Sequence, residues 1–161
     1  AQAEEGVCGG IVGASEENFK KSEVYLKTFC KDYFHFGEVG KGAKSKLLNN
    51  FFSLGAATYV IELIKSAKKL DVDLEKLFAV AKLGSGNSTA LNRIFDNVLK
   101  GDYTGFKFST ANTLKDLTYI QEMLKDVGNA EKLADVKKSF YKKAVDEGHG
   151  DLFISELIQK D

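Results

Sequence analysis

Lys46 and Asn50 are the side chains in this sequence best placed to do chemistry together. In a helix, residues four apart share a face. An amine takes or gives a proton, and a carboxamide donates and accepts hydrogen bonds at once. The pair follows Gly37-Glu38-Val39-Gly40-Lys41-Gly42, three glycines in six residues, where a ligand can approach bare backbone. A second cluster runs Phe108-Ser109-Thr110-Ala111-Asn112-Thr113-Leu114-Lys115-Asp116-Leu117. It sets Lys115 beside aromatic and apolar residues, from where it can reach a phosphate or cofactor, or lay its stem along the surface. Solvated lysines and polar asparagines are common on helix faces, so spacing alone leaves these roles open.

Other chemistries find less support. Gly37-x4-Gly42-Ala43-Lys44-Ser45 is one insertion away from a P-loop, but Ala43 stands where the phosphate-binding lysine must follow the glycine. Residues 6–13 are glycine-rich without forming G-x-G-x-x-G, and no βαβ pattern is legible around them. His35 reads as a strand residue and His149 as a loop or helix-end residue, neither at metal-ligand spacing, so no metal is expected. Glu62 and Asp116 read as ordinary helix acids. Cys8 and Cys30 make no C-x-x-C. They read as small buried hydrophobes, unbridged, in a reducing compartment, and a cytoplasmic location is expected.

Composition narrows the classes further. The 161 residues suggest one domain, large enough for a core without disulfides or metal. Acids and bases balance at 23 each, with no basic stripe, so no nucleic-acid partner is expected. Uninterrupted apolar runs fall short of a membrane span, and no membrane association is expected. Ala1-Gln2-Ala3-Glu4-Glu5 is acidic and lacks the apolar stretch of a signal peptide. Without an initiator methionine, the chain reads as processed or as a piece of something longer.

The elements that must hold Lys46 and Asn50 follow from periodicity. Residues 6–14 read as a short extended segment, and Ser15 caps a helix with Glu16 and Glu17 in its first turn. That helix shows Phe19, Val24, Tyr25, Leu26 and Phe29 on its apolar face. Tyr33–Phe36 reads as a short aromatic strand. A central helix runs from about 41 to 70 with no proline in the chain to break it, and apolar residues nearly encircle it. At ~1.5 Å per residue it spans some 45 Å, long enough that part of its surface is expected to meet a second domain or subunit. Gly55-Ala56-Ala57 at its middle offers room for another backbone. Further helices are expected at about 74–83, 89–99, 109–127, 130–146 and 151–159, with Gly128-Asn129 ending the fifth of the chain's helices. The fold class is all-α: a helical bundle around one long central helix with a short extended N-terminal remnant.

Several of these residues together resemble a known family. Gly40-Lys41-Gly42-Ala43-Lys44-Ser45-Lys46-Leu47-Leu48-Asn49-Asn50 matches the G-x-G-x-x-x-K-x-x-N-N motif of the β-hydroxyacid dehydrogenases, the family of 3-hydroxyisobutyrate dehydrogenase, related to 6-phosphogluconate dehydrogenase. Phe108 with Lys115-Asp116-Leu117 matches a second motif. Gly6 to Phe19 resembles a strand ending in V-G-G-x-x-E/D-x-F, and Gly148-His149-Gly150-Asp151 resembles the start of a G-x-G-D motif. The resemblance runs the whole chain, 1–161, and covers only the C-terminal substrate and dimerisation half of such an enzyme. The N-terminal Rossmann domain and the S-G-G loop have no counterpart; Cys8-Gly9-Gly10 is similar to that loop only superficially.

The resemblance implies an NAD(P)-dependent oxidation of a small β-hydroxy acid by hydride transfer. Lys46 would be the catalytic lysine assisting proton transfer, Asn50 and Gly42 would serve substrate binding, and Lys115 and Phe108 would contact NAD or NADP. The long helix would be buried in a homodimer or higher homo-oligomer, and the fragment alone would be inactive. Three positions depart from the pattern: Asp71 for a glycine, Ala14 for a glycine, and Phe153 for the second aspartate of G-x-G-D-x-D. Two other readings stand beside this one. One is a non-catalytic helical dimerisation module. The other is a phosphate-binding helical protein using Gly37–Ser45.

Overall fold

The computed structural model describes residues 4–160. Ala1–Ala3, on which the expectation of no signal peptide partly rests, and Asp161 lie outside the described residues. The elements are β1 (Cys8–Val12), α1 (Glu16–Phe29), β2 (Cys30–His35), α2 (Lys41–Lys69), α3 (Leu74–Leu83), α4 (Thr89–Val98), α5 (Thr110–Met123) and α6 (Gly128–Asp146), closed by a 3₁₀ helix, Ile154–Gln159. Helices dominate, as the periodicity implies. The chain divides into two compact units, one up to Asn49 and one from Asn50, with the division inside α2.

In the first unit β1 and β2 pair in parallel, with α1 as their crossover. This βαβ unit corrects the sequence reading, which finds none around residues 6–13. Two glycines thin the five residues of β1, and β2 opens with Cys30-Lys31-Asp32 before its aromatic run, so neither strand announces itself. Gly10 is required by packing: a Cβ there would stand 2.8 Å from Tyr33 Cβ and 3.1 Å from Cys30 Sγ. Ser15 caps α1 by accepting from Asn18 N–H at 3.4 Å. The His35 ring stacks on Phe19 with centroids 4.3 Å apart, and its Nε2–H donates to Ala14 O at 2.7 Å. Cys8 and Cys30 are free thiols, their Sγ atoms 3.7 Å apart. Cys30 is buried, which pushes its thiol up, and the Cys8 thiol beside it pushes the same way; Cys8 is only half-buried.

One face of this strand pair is open. Ile11 and Phe34, cross-strand neighbours, are both exposed, as are Val24, Tyr25 and Phe29 on α1. Parallel sheets are ordinarily covered on both faces.

In the second unit the core gathers around α2, whose Leu54, Ala57, Val60, Ile61, Ile64 and Ala67 are buried. Phe78 of α3 stacks on Phe95 of α4 with centroids 4.8 Å apart, and α5 packs along α6. The buried Thr58 hydroxyl donates to Leu54 O at 2.7 Å, so the Tyr141 hydroxyl must be the donor in their 2.7 Å contact. Burial pushes the Tyr141 phenol up to about 12. The other face of α2 is open, with Phe52, Tyr59 and Leu63 exposed. Among the described residues α2 is the one helix long and apolar enough, by length and composition, to cross a membrane; as described above, it is also the helix the core packs on.

Four local expectations change. Gly55 is approached by a side chain rather than a backbone: Lys137 Nζ would lie 3.1 Å from a Cβ placed there. Lys137 reaches from α6 over the Phe51 ring and donates to Phe51 O at 2.9 Å. Helix α5 stops at Met123 rather than 127, because Asp126 turns the chain with φ 64°. Gly128 therefore opens α6 instead of ending α5. The closing segment begins at Ile154 and is 3₁₀, since the Glu156 carboxylate accepts from Phe153 N–H at 2.7 Å and fixes the entry there. Asp71 takes the left-handed conformation, φ 53°, that its position after α2 demands.

Candidate functional site

Helix α2 carries Gly42, Lys46 and Asn50 in its first turns. It starts where Gly37 and Gly40, with φ of 92° and 90°, turn the chain out of β2. These φ values lie in the region glycine alone adopts freely.

In the first unit, Lys46 is exposed and Gly42 is buried. A Cβ at Gly42 would stand 2.6 Å from Gly13 N and 2.9 Å from Val12 C. The structure thus gives this glycine a structural reason: the first turn of α2 lies directly on the backbone at the end of β1. Sequence reading assigns Gly42 only to ligand approach.

In the second unit, Asn50 Nδ2 donates to Asp116 Oδ2 at 2.7 Å. Asp116 is 3% exposed, and Lys115 Nζ stands 3.3 Å from its other oxygen. The Lys115 side chain is about half exposed, 53%, so its amine rests on the acid at the surface. Asn50, Asp116 and Lys115 therefore form one polar chain between α2 and α5. With one amide hydrogen held by the acid, the rest of the Asn50 carboxamide is fixed in orientation.

Asp116 is the functional candidate that sequence reading passes over. A signal was available. Thr113, Asp116, Leu117, Ile120 and Leu124 follow helical spacing, and all five are buried. A carboxylate on a buried stripe has to find a partner.

Phe108 meets Asn50 differently. Both line a cavity of about 540 Å³, together with Ser53, Leu54, Arg93, Asn97, Asp102 and residues 104–107. That volume falls in the range of small-molecule sites. Phe108 is held by its carbonyl, which accepts from Ile154 N–H at 3.0 Å, and by the capping of α5 through Ser109. Among the described residues no group of three or more His, Cys, Asp or Glu is placed to hold a metal ion.

Comparison with known proteins agrees with the motifs. Residues 40–160 match the family model described as NAD-binding of NADP-dependent 3-hydroxyisobutyrate dehydrogenase. A probable mitochondrial 3-hydroxyisobutyrate dehydrogenase of Dictyostelium discoideum is 28% identical over 92% of this chain and 48% of its own length. A 2-(hydroxymethyl)glutarate dehydrogenase of Eubacterium barkeri is 29% identical over 64% of this chain and 35% of its own. The chain therefore spans about half or less of these relatives. The structure of Mycobacterium tuberculosis 3-hydroxyisobutyrate dehydrogenase with L-serine superposes with a TM-score of 0.84 at 25% identity, over 98% of this chain and 56% of that one. The glycine-led lysine and asparagine of α2, the helical fold and the family match agree: this chain belongs to the family of the NAD-binding domain of NADP-dependent 3-hydroxyisobutyrate dehydrogenase.

Proposed function

We propose that this chain is the helical, C-terminal part of an NAD(P)-dependent dehydrogenase that oxidises a small β-hydroxy acid. The observation that carries the reading is Asn50 held by the buried Asp116, on the helix that presents Lys46 one turn earlier. A nicotinamide bound here would supply the acceptor for the hydride of the carbinol carbon, with Phe108 and Lys115 facing it from this side. Lys46 takes up the hydroxyl proton as that hydride leaves, the work of a general base. Asn50 holds the substrate by hydrogen bonds from an amide that Asp116 orients. Gly42 keeps side-chain bulk away from the start of the same helix. Phe108 offers a flat apolar surface and Lys115 a cation toward NAD or NADP.

The 161 residues contain no G-x-G-x-x-G, so alone they are expected to show no turnover. The open face of α2 at Phe52, Tyr59 and Leu63 is proposed as the contact of a homodimer or higher homo-oligomer. A cytoplasmic location belongs to the same proposal, supported by two unbridged thiols, although two relatives carry mitochondrial and chloroplastic in their names.

The test is Lys46→Ala in the native polypeptide, with NAD(P) and 3-hydroxyisobutyrate. Turnover is expected to fall roughly a hundredfold or more, the scale of a general acid–base group. Undiminished turnover would remove Lys46 from the mechanism.

A further inference from the structure

Two exposed cationic residues stand among those that line the cavity beside Asn50. Arg93 on α4 is the chain's single arginine, and it lines the cavity together with Lys107 from the α4–α5 connection. Asp102 is the one carboxylate among the lining residues. Its Oδ1 is already engaged, accepting from the Thr104 N–H and O–H at 2.8 Å each. Those two hydrogen bonds hold its carboxyl below the usual range, with Lys107 adding least. The lining residues thus include two cations and one committed anion.

This wall is firmly built. A Cβ at Gly105 would stand 2.6 Å from Arg93 O, so the connection lies flat on α4. Asn97 Nδ2 donates to the same Arg93 carbonyl at 2.7 Å. On the other side Phe106 N–H donates to Ser155 Oγ at 3.0 Å, and Ser155 donates to Tyr103 O at 2.7 Å. The segment that carries Lys107 and Phe108 is therefore tied to α4 and to the closing 3₁₀ helix at once.

We propose that Arg93 and Lys107 bind a second carboxylate on the substrate, so that the preferred β-hydroxy acid is a dicarboxylate whose far end meets Arg93. This rests on the dehydrogenase reading, because it takes Asn50 as holding the reacting end. A guanidinium presents a planar fork that matches a carboxylate with two parallel hydrogen bonds, which a lysine alone does not. A substrate ending in a methyl group leaves that fork to water and gains nothing from it. Sites built for a polar group discriminate strongly against the analogue that lacks it.

The experiment compares 2-(hydroxymethyl)pentanedioate with 2-(hydroxymethyl)pentanoate, which differ in the far carboxylate alone, using the native polypeptide and NAD(P). The diacid is expected to show a kcat/KM higher by about tenfold or more, the scale of one charge-assisted contact. Arg93→Gln is expected to abolish that preference by raising KM for the diacid, while the monoacid is oxidised as before and reports that the variant is folded. Arg93→Lys should keep part of the preference. Equal oxidation of the two acids by the unaltered protein, or an equal loss for both in Arg93→Gln, overturns the inference and leaves the dehydrogenase reading standing. Absence of turnover with either acid overturns the reading itself and the inference with it.

Discussion

Asn50 owes its orientation to an acid that solvent barely reaches. Removing that acid leaves a half-buried amide hydrogen without its acceptor and frees the carboxamide to turn. In the native polypeptide, Asp116→Ala is expected to lower kcat/KM on the order of tenfold to a hundredfold, since small misplacement of a binding group is costly. Asp116→Asn should lose much less, because its amide oxygen still accepts from Asn50. Steady-state kinetics of the two variants side by side separates orientation from charge. Lys137 makes a different argument at the same scale. Burial lowers its ammonium from about 10.5 to about 8. The unfolded chain keeps that proton up to about 10.5, whereas the folded chain gives it up near 8. Unfolding therefore takes up a proton between those values, and stability rises with pH across that window. Lys137→Met removes the penalty of the half-buried charge. Its urea midpoint, compared with that of the unaltered protein, should stand highest near pH 7 and lose that relative advantage between about pH 8 and 10.5. Of these residues, spacing and the motif single out Lys46 and Asn50 in the sequence, and the structure ties Asn50 to Asp116. Asp116 was not singled out, because an acid on a helix looks solvated until its stripe is known to be buried.

Among the elements, the helices were the readable part. Ser15 marks the start of α1 by its side-chain cap, and the structure finds it in place; in the structure Asp73 caps α3 in the same way. The ends of α2, α3 and α4 fall within a residue or two of their periodic limits. The turn between α5 and α6 was misread because Gly128 looks like a stop, while the turning is done by Asp126 before it. The parallel strand pair was missed for a deeper reason. Parallel pairing is a contact between distant segments, and no local pattern in five residues encodes it. The Gly13–Gly42 approach is likewise a tertiary fact. It yields an element-scale prediction: Gly42→Ala forces the start of α2 off the end of β1. The variant is expected to lose roughly 1–3 kcal/mol in urea unfolding, the usual cost of overpacking. Ala at Gly84, where the nearest atom is 3.7 Å from a Cβ, serves as the control.

For the molecule as a whole, fold class was the most legible property and association the least. Nearly all-round apolarity of α2 signals burial, yet it does not say against what. The structure divides that surface. Leu54, Ala57, Val60, Ile61 and Ile64 serve the chain's own core, while Phe52 and Tyr59 remain 75% and 69% exposed. If that remainder seats a second copy, Tyr59→Glu should shift the native polypeptide toward monomer in sedimentation velocity. The helix content of its circular dichroism should stay unchanged. An unaltered sedimentation coefficient would assign the face elsewhere.

Among the described residues the ladder has two strands, which gives it a further property. Each strand spends half of its backbone donors and acceptors on its neighbour and keeps the other half along an outer rim. Such rims recruit. A strand supplied by the same polypeptide would settle there as a lawful extension of the ladder, whereas one supplied by another molecule would begin a polymer. Residues 8–35 therefore set the terms on which this chain can be handled apart from its neighbours, whatever the helices beyond them do.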